Sequence, residues 1–185
     1  MHKYITQFFM MTVVLFVSAC GSLPHAPMAT VPSVDIPSYM GAWYQQALIP
    51  NRFQSMCVAD TQAFYTLQVD GDVSVVNRCR TSDGRIEKAV GVAVAVKESA
   101  GSKLRVSFFR PFYGDYWILA LNPSMKDGWV LIGEPSRQYA WIMSRRPHLN
   151  DSDFERAIAI AIDLGYTREQ FFKSPQSVPL PAFLD

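Results

Sequence analysis

Between Tyr39 and Arg145 the chain alternates short apolar-rich runs with compact polar breaks. The runs are Trp43–Leu48, Ala59–Val69, Val73–Cys79, Ala89–Val96, Leu104–Phe109, Tyr116–Leu121, Trp129–Gly133 and Tyr139–Ser144. They have strand lengths and are rich in β-branched and aromatic residues, which suit a pleated, half-buried surface. The breaks are Asp70-Gly71, Ser82-Asp83-Gly84, Ala100-Gly101, Pro111 to Gly114, Asp127-Gly128 and Pro135-Ser136. Asp-Gly between two such runs is a strong hairpin signal. Short connections throughout predict sequential antiparallel pairing, in a sandwich or a barrel. The longest, Ile49–Val58, is long enough to serve as a lid.

One run carries more information. Val90, Val92, Val94 and Val96 alternate with Ala89, Gly91, Ala93 and Ala95. Alternation puts the two sets on opposite faces, one bulky and one small. A barrel wall lining a cavity has this form, and so does a sandwich strand packed against large neighbours. After the last run the period changes to that of a helix. Asn150 is placed as its cap, with Asp151 and Asp153 in the first turn, where the helix dipole favours acids. Phe154, Ala157, Ile158 and Ala161 share one face, and Gly165 is placed as the stop. The spacing predicts one amphipathic helix packed on the outside of the sheet.

The N-terminus has a different pattern. His2 and Lys3 precede the apolar run Ile5–Val17, and small residues around Cys20 follow. A charged start, a short apolar stretch and small residues make a secretory signal over residues 1–19. The run is short of the roughly 20 residues that span a bilayer. Residues 20–38 carry four prolines, Pro24, Pro27, Pro32 and Pro37, and no periodicity. They read as an extended tether. That leaves 39–175 as the domain and 176–185 as a tail.

Composition narrows the function. Apolar residues make up 49% of the 185, with 12 Phe, 8 Tyr and 4 Trp, enough for one well-filled domain. Lys and Arg total 17 against 16 Asp and Glu, with no block of like charge. Nucleic-acid binding needs a basic stripe, so that class is excluded. After the leader only His25 and His148 remain, far apart, and no Ser/His/Asp set suggests itself. No metal site, cofactor or catalytic set is expected. The one enzymatic route left open is a reduced Cys57 or Cys79 at a barrel mouth. Exported proteins usually pair such cysteines, so a Cys57–Cys79 disulfide is expected. A simple register around Asp70-Gly71 puts Cys57 opposite Gly84, however, so the bond requires a bulge or a fold-back of the preceding segment.

These elements together resemble a lipocalin: eight strands in an up-and-down antiparallel barrel, then one C-terminal helix. Gly41-Ala42-Trp43 matches the family's Gly-x-Trp at the start of the first strand. Arg145 matches its late arginine, which in lipocalins lies across the tryptophan and closes the barrel floor. The segment Val106 to Gly114, Val-Ser-Phe-Phe-Arg-Pro-Phe-Tyr-Gly, is similar to that of Blc-type bacterial lipocalins, relatives of apolipoprotein D. Asn122 departs from the aspartate usual in the family's second motif. Cys20 resembles the modified cysteine of a lipobox. There the cut precedes the cysteine, its thiol carries a diacylglycerol, and its new amine is acylated, commonly with palmitate. Each buried methylene contributes about 0.8 kcal/mol, so several chains hold a protein on a membrane almost permanently. Gly21 after Cys20 is similar to the pattern that sorts lipoproteins to the outer membrane, facing the periplasm.

The resemblance implies a small hydrophobic or amphiphilic ligand, such as a fatty acid or lysophospholipid, and no enzymatic activity. If Arg145 points inward, alternation puts Met143, Trp141 and Tyr139 on the inner face, and Phe108, Tyr116 and Ile118 join them. That lining suits an apolar ligand. The alternative is a filled barrel acting through its rim (Ile49, Pro50, Phe53, Phe112, Tyr113) in protein or membrane contact, including a homodimer.

Overall fold

In the computed structural model, residues 27–178 and 180–181 are described. The expected leader, Cys20, His25 and the last four residues lie outside them. The chain enters along the base through α1 (Ile36–Tyr39). It then forms β1 (Gly41–Leu48), β2 (Cys57–Leu67), β3 (Val73–Thr81), β4 (Ile86–Ala95), β5 (Lys103–Phe109), β6 (Phe112–Asn122), β7 (Trp129–Gly133) and β8 (Ala140–Ser144). Helix α2 (Asp151–Asp163) and a two-residue strand β9 (Phe172–Lys173) follow. Each strand pairs antiparallel with the next, and β1 pairs with both β8 and β2, which closes the eight-stranded barrel.

Two separate cores flank the wall. The inner one holds Trp43, Tyr65, Val75, Ile118, Val130, Ile132 and Met143. The outer one holds Leu131, Ala140 and Ile142 beneath Phe154, Ala157, Ile158 and Ala161 of α2. The helix lies where its apolar face requires. Asn150 Oδ1 accepts the Asp153 amide at 2.8 Å, satisfying one of the orphan donors of the first turn. Gly165, at φ +90°, ends the helix in the left-handed region that glycine enters without strain.

Three expectations about local structure are revised. Residues 27–38 do not stand off as a tether: Met28, Val34 and Tyr39 are buried, and the amides of Val31 and Val34 bond Ile118 O and Ala100 O. The apolar residues among the prolines anchor this segment, so the packed domain includes residues well before 39. Residues 176–178 are likewise tied to the barrel, not loose. The β5–β6 turn is Arg110-Pro111, tighter than the expected Pro111–Gly114, so Tyr116 sits opposite Leu104 and not near Phe108. Phe112 to Gly114 extend β6 because aromatic side chains suit its pleat.

Candidate functional site: the barrel interior

The floor is built from the N-terminal end of β1. Gly41 occupies φ +89°, which is what demands glycine; a Cβ there would meet Arg145 only at ordinary contact distance, 3.6 Å. Trp43 is 1% exposed, and its indole donates to Tyr39 O at 2.9 Å. Arg145, at the end of β8, lies over that ring with its guanidinium carbon 3.9 Å from the centroid. Its nitrogens donate to Ser38 O, Met40 O and Ala42 O at 2.7, 2.8 and 3.0 Å. A planar guanidinium can cover the indole and bond three carbonyls at once; an ammonium cannot. Burial lowers the Arg145 pKa, and three nearby phenols oppose that shift. An arginine stays charged under such a shift.

Those phenols form the next layer. Tyr39 and Tyr65 stack at 5.8 Å, and their hydroxyls lie 2.8 and 3.1 Å from that of Tyr116. Burial pushes all three pKa values up, that of Tyr65 to about 12, so each keeps its proton at neutral pH. Sequence reading named Tyr116 but missed Tyr39 and Tyr65. Tyr39 stands at the first position of the expected domain, ahead of the first apolar run, and no spacing rule brings it beside Tyr116.

Toward the opposite end the packing loosens. Of the six expected lining residues, Ile118, Met143, Tyr116 and Trp141 belong to the inner layer, Tyr139 stacks on Trp141 just before β8, and Phe108 lies against Gly91. Ile118 and Met143 are buried in the floor. Tyr116, Tyr139 and Trp141 are half-buried, and Phe108 is 47% exposed. The small face of β4 also turns inward: Ala93 joins the inner core, and a Cβ on Gly91 would sit 2.8 Å from the Phe108 ring and 2.6 Å from Ser107 O. Phe108 thus lies over bare backbone where a side chain would block it. Outside, Val90 is exposed.

The segment between β1 and β2 folds over the mouth. Gln54 accepts from the Trp141 indole at 2.7 Å and donates to Gln45 Oε1 at 3.1 Å; Gln45 donates on to Ser174 Oγ at 2.7 Å. Phe53 rests 5.9 Å from Tyr139. Of the expected rim, Phe53, Phe112 and Pro50 are exposed. Ile49 is buried in the outer core, since a β1 irregularity between Gln45 and Ala47 turns the strand end toward the helix, and Tyr113 lies under Arg105.

A gap between the upper halves of β1 and β2 is filled by β9 and the residues after it. Ser174 N bonds Gln46 O, and Asp60 N bonds Pro175 O, both at 2.8 Å. Asp60 adopts φ 56° within an irregularity of β2. That irregularity, together with a second between Cys57 and Ala59, draws Cys57 opposite Thr81, close enough to Cys79 for the disulfide, with Cα atoms 5.5 Å apart. The two together are therefore what permits the bond. Neither cysteine is a free thiol, which removes the one enzymatic route noted above.

The lipocalin-like domain family matches residues 34–176. Temperature-induced lipocalin-1 of Arabidopsis thaliana is 36% identical over 158 residues, covering 81% of this chain and 83% of that protein. The outer membrane lipoprotein Blc of Citrobacter freundii is 34% identical over 162 residues, covering 86% and 87%. Among solved structures, apocrustacyanin C1 superposes with a TM-score of 0.67 at 19% identity, over 85% of this chain and 92% of that one, a likeness of fold. By its barrel, its floor and these matches, the chain belongs to the lipocalin family and resembles the Blc-type members over most of its length.

Proposed function

We propose that the protein is a membrane-anchored carrier that holds one small hydrophobic or amphiphilic ligand, a fatty acid or lysophospholipid, inside the barrel. The observation that carries this reading is the gradient along the inner wall. Trp43, Ile118, Val130 and Ile132 are fully packed, while Trp141, Tyr139 and Phe108 stay accessible. A container with a packed base and an accessible aromatic upper half suits an apolar chain. The lining offers few polar groups and no catalytic set, so the role is binding for storage, transport or scavenging, not chemistry. Residues 1–19 act as the signal, and Cys20 carries the lipid that fixes the protein to the outer membrane, facing the periplasm. The relative from Citrobacter freundii is an outer membrane lipoprotein, which supports that location.

Native mass spectrometry of residues 21–185, exported to an oxidising compartment, tests the carrier. A bound mass of a few hundred daltons, lost on denaturation, is the expected result. A protein that stays empty after fatty acid and lysophospholipid are added refutes it. A second reading has its own support. Phe109 and Phe112, 75% and 71% exposed, stack at 6.2 Å at the tip of the β5–β6 hairpin. Such a tip suits protein or membrane contact at the rim, including a homodimer.

A further inference from the structure

The barrel floor holds one more hydrogen-bond donor than it holds acceptors for. Tyr39, Tyr65 and Tyr116 bring three O–H donors, and their mutual contacts use two. Those two contacts are the only hydrogen bonds of these hydroxyls among the described residues. Whichever way round the two bonds run, one O–H is left without a protein acceptor. A buried donor left unmatched is costly, so the site calls for an oxygen from elsewhere.

The charge at the floor points to the kind of oxygen. Arg145 bonds only main-chain carbonyls and approaches the Met125 sulfur at 4.0 Å. No carboxylate pairs with it among the described residues. Its charge favours the ionised form of Tyr39 and Tyr65, although burial outweighs it. The cluster therefore lies near a cation that no carboxylate among the described residues pairs with. Access completes the site: Tyr116 faces the interior and is half-buried, as is Trp141.

We infer that the barrel takes a long-chain carboxylate head first, its oxygen accepting the spare hydroxyl of the Tyr39–Tyr65–Tyr116 cluster and its tail rising past Trp141 and Phe108 to the mouth. This rests on the carrier reading above and adds a ligand class and a direction to it. A neutral ester of the same chain answers the hydroxyl but not the charge.

The delipidated protein is titrated with oleate and with methyl oleate, following tryptophan fluorescence. Oleate binds at least about tenfold tighter, equivalent to about 1.4 kcal/mol. The triple variant Y39F/Y65F/Y116F keeps the ring volumes and brings that ratio close to one, with the ester's affinity nearly unchanged. On the unaltered protein, stearates labelled with a nitroxide at carbon 5 or carbon 16 give the direction. The carbon-5 label broadens the Trp43 indole N–H resonance, and the carbon-16 label broadens that of Trp141. If neither oleate nor its ester binds, the carboxylate assignment is overturned, and the carrier reading fails with it only if lysophospholipid is refused as well. If both bind equally, or the broadening is reversed, the carrier stands and the head-first assignment is overturned. The nitroxide result decides the matter should the triple variant not fold.

Discussion

Replacing Asp60 with asparagine isolates the charge that fastens the C-terminal segment into the barrel wall. Asp60 is 1% exposed. Its carboxylate accepts Arg80 Nε at 2.8 Å and the amides of Ser177 and Val178 at 2.7 and 3.1 Å. Asparagine keeps the size and tolerates the left-handed backbone, so φ 56° is not what the substitution tests. Hydrogen bonds to a charged group contribute about 1.5–3 kcal/mol each. Arg80 is 27% exposed in its side chain and regains water when unpaired, so a net loss of about 2–4 kcal/mol is expected. For a domain of this size that lowers Tm by roughly 5–15 °C. The pH dependence gives a sharper check. Burial alone raises the Asp60 pKa, but the Arg80 bond and the two amides outweigh it and hold the folded value below the ordinary one of 3.8. A depressed folded pKa contributes stability that is complete above the unfolded value and lost as pH falls through the folded one. Urea unfolding of both proteins should therefore show a large difference at pH 7 that shrinks below about pH 4. Limited proteolysis should cut D60N first near residues 174–178. Equal stability at pH 7, or a difference unchanged at pH 2.5, would refute this account of the clamp.

Reduction of Cys57–Cys79 releases a loop with a sequence separation of 22 and should cost roughly 3 kcal/mol, seen as a lower urea midpoint in dithiothreitol. Arg145→Lys keeps a charge over Trp43 but cannot span three carbonyls; a loss of about 1–3 kcal/mol is expected, and calorimetry matching wild type would contradict the floor described here. Trp141→Phe removes the indole N–H that holds Gln54, so ligand exchange should quicken several-fold in stopped-flow fluorescence, with little change in Tm. Gly91→Ala places a methyl 2.6 Å from Ser107 O, a main-chain atom that cannot swing aside; destabilisation of about 1–3 kcal/mol is expected by thermal melt.

What the sequence made legible and what it hid divide along physical lines. The eight runs, the helix and its buried face follow from periodicity and turn residues, which act over a few positions. Trp43 with Arg145 was reachable because two motif residues mark the ends of adjoining strands. Parity, which survives a modest error in turn length, is what placed Tyr116, Ile118, Trp141 and Met143 on one layer. Depth it did not fix: placing the β5–β6 turn at Pro111–Gly114 put Tyr116 beside Phe108, whereas it lies opposite Leu104, a layer nearer the floor. The Asp60 irregularity was also out of reach. One residue at positive φ supplies one of the two register shifts that join Cys57 to Cys79, and an aspartate in an apolar run carries no mark of that conformation. The segments at both ends were misjudged for one reason. Their prolines suggest exposure, while scattered residues such as Met28, Val34 and Gln176 pack or bond against strands distant in sequence.

The two ends of the barrel are held by different chemistry, and that difference bears on how a ligand enters. At the base, an aromatic ring, a guanidinium and three carbonyls lock one another, and none can move without breaking several contacts. At the mouth, the lid is held to the inner wall through Gln54, and the gap between β1 and β2 is bridged by a segment held through Ser174, Gln176 and Asp60. These are polar bonds, several of them neutral, and neutral bonds contribute only about 0.5–1.5 kcal/mol each. Exchange is thus expected at the lidded end, with the base unmoved. Hydrogen exchange should show this directly: the amides of Trp43 and Val130 protected through ligand release, those around Gln54 exchanging with it. Loss of protection at Trp43 in step with release would mean that the floor opens as well, and the rigid-base argument would fail.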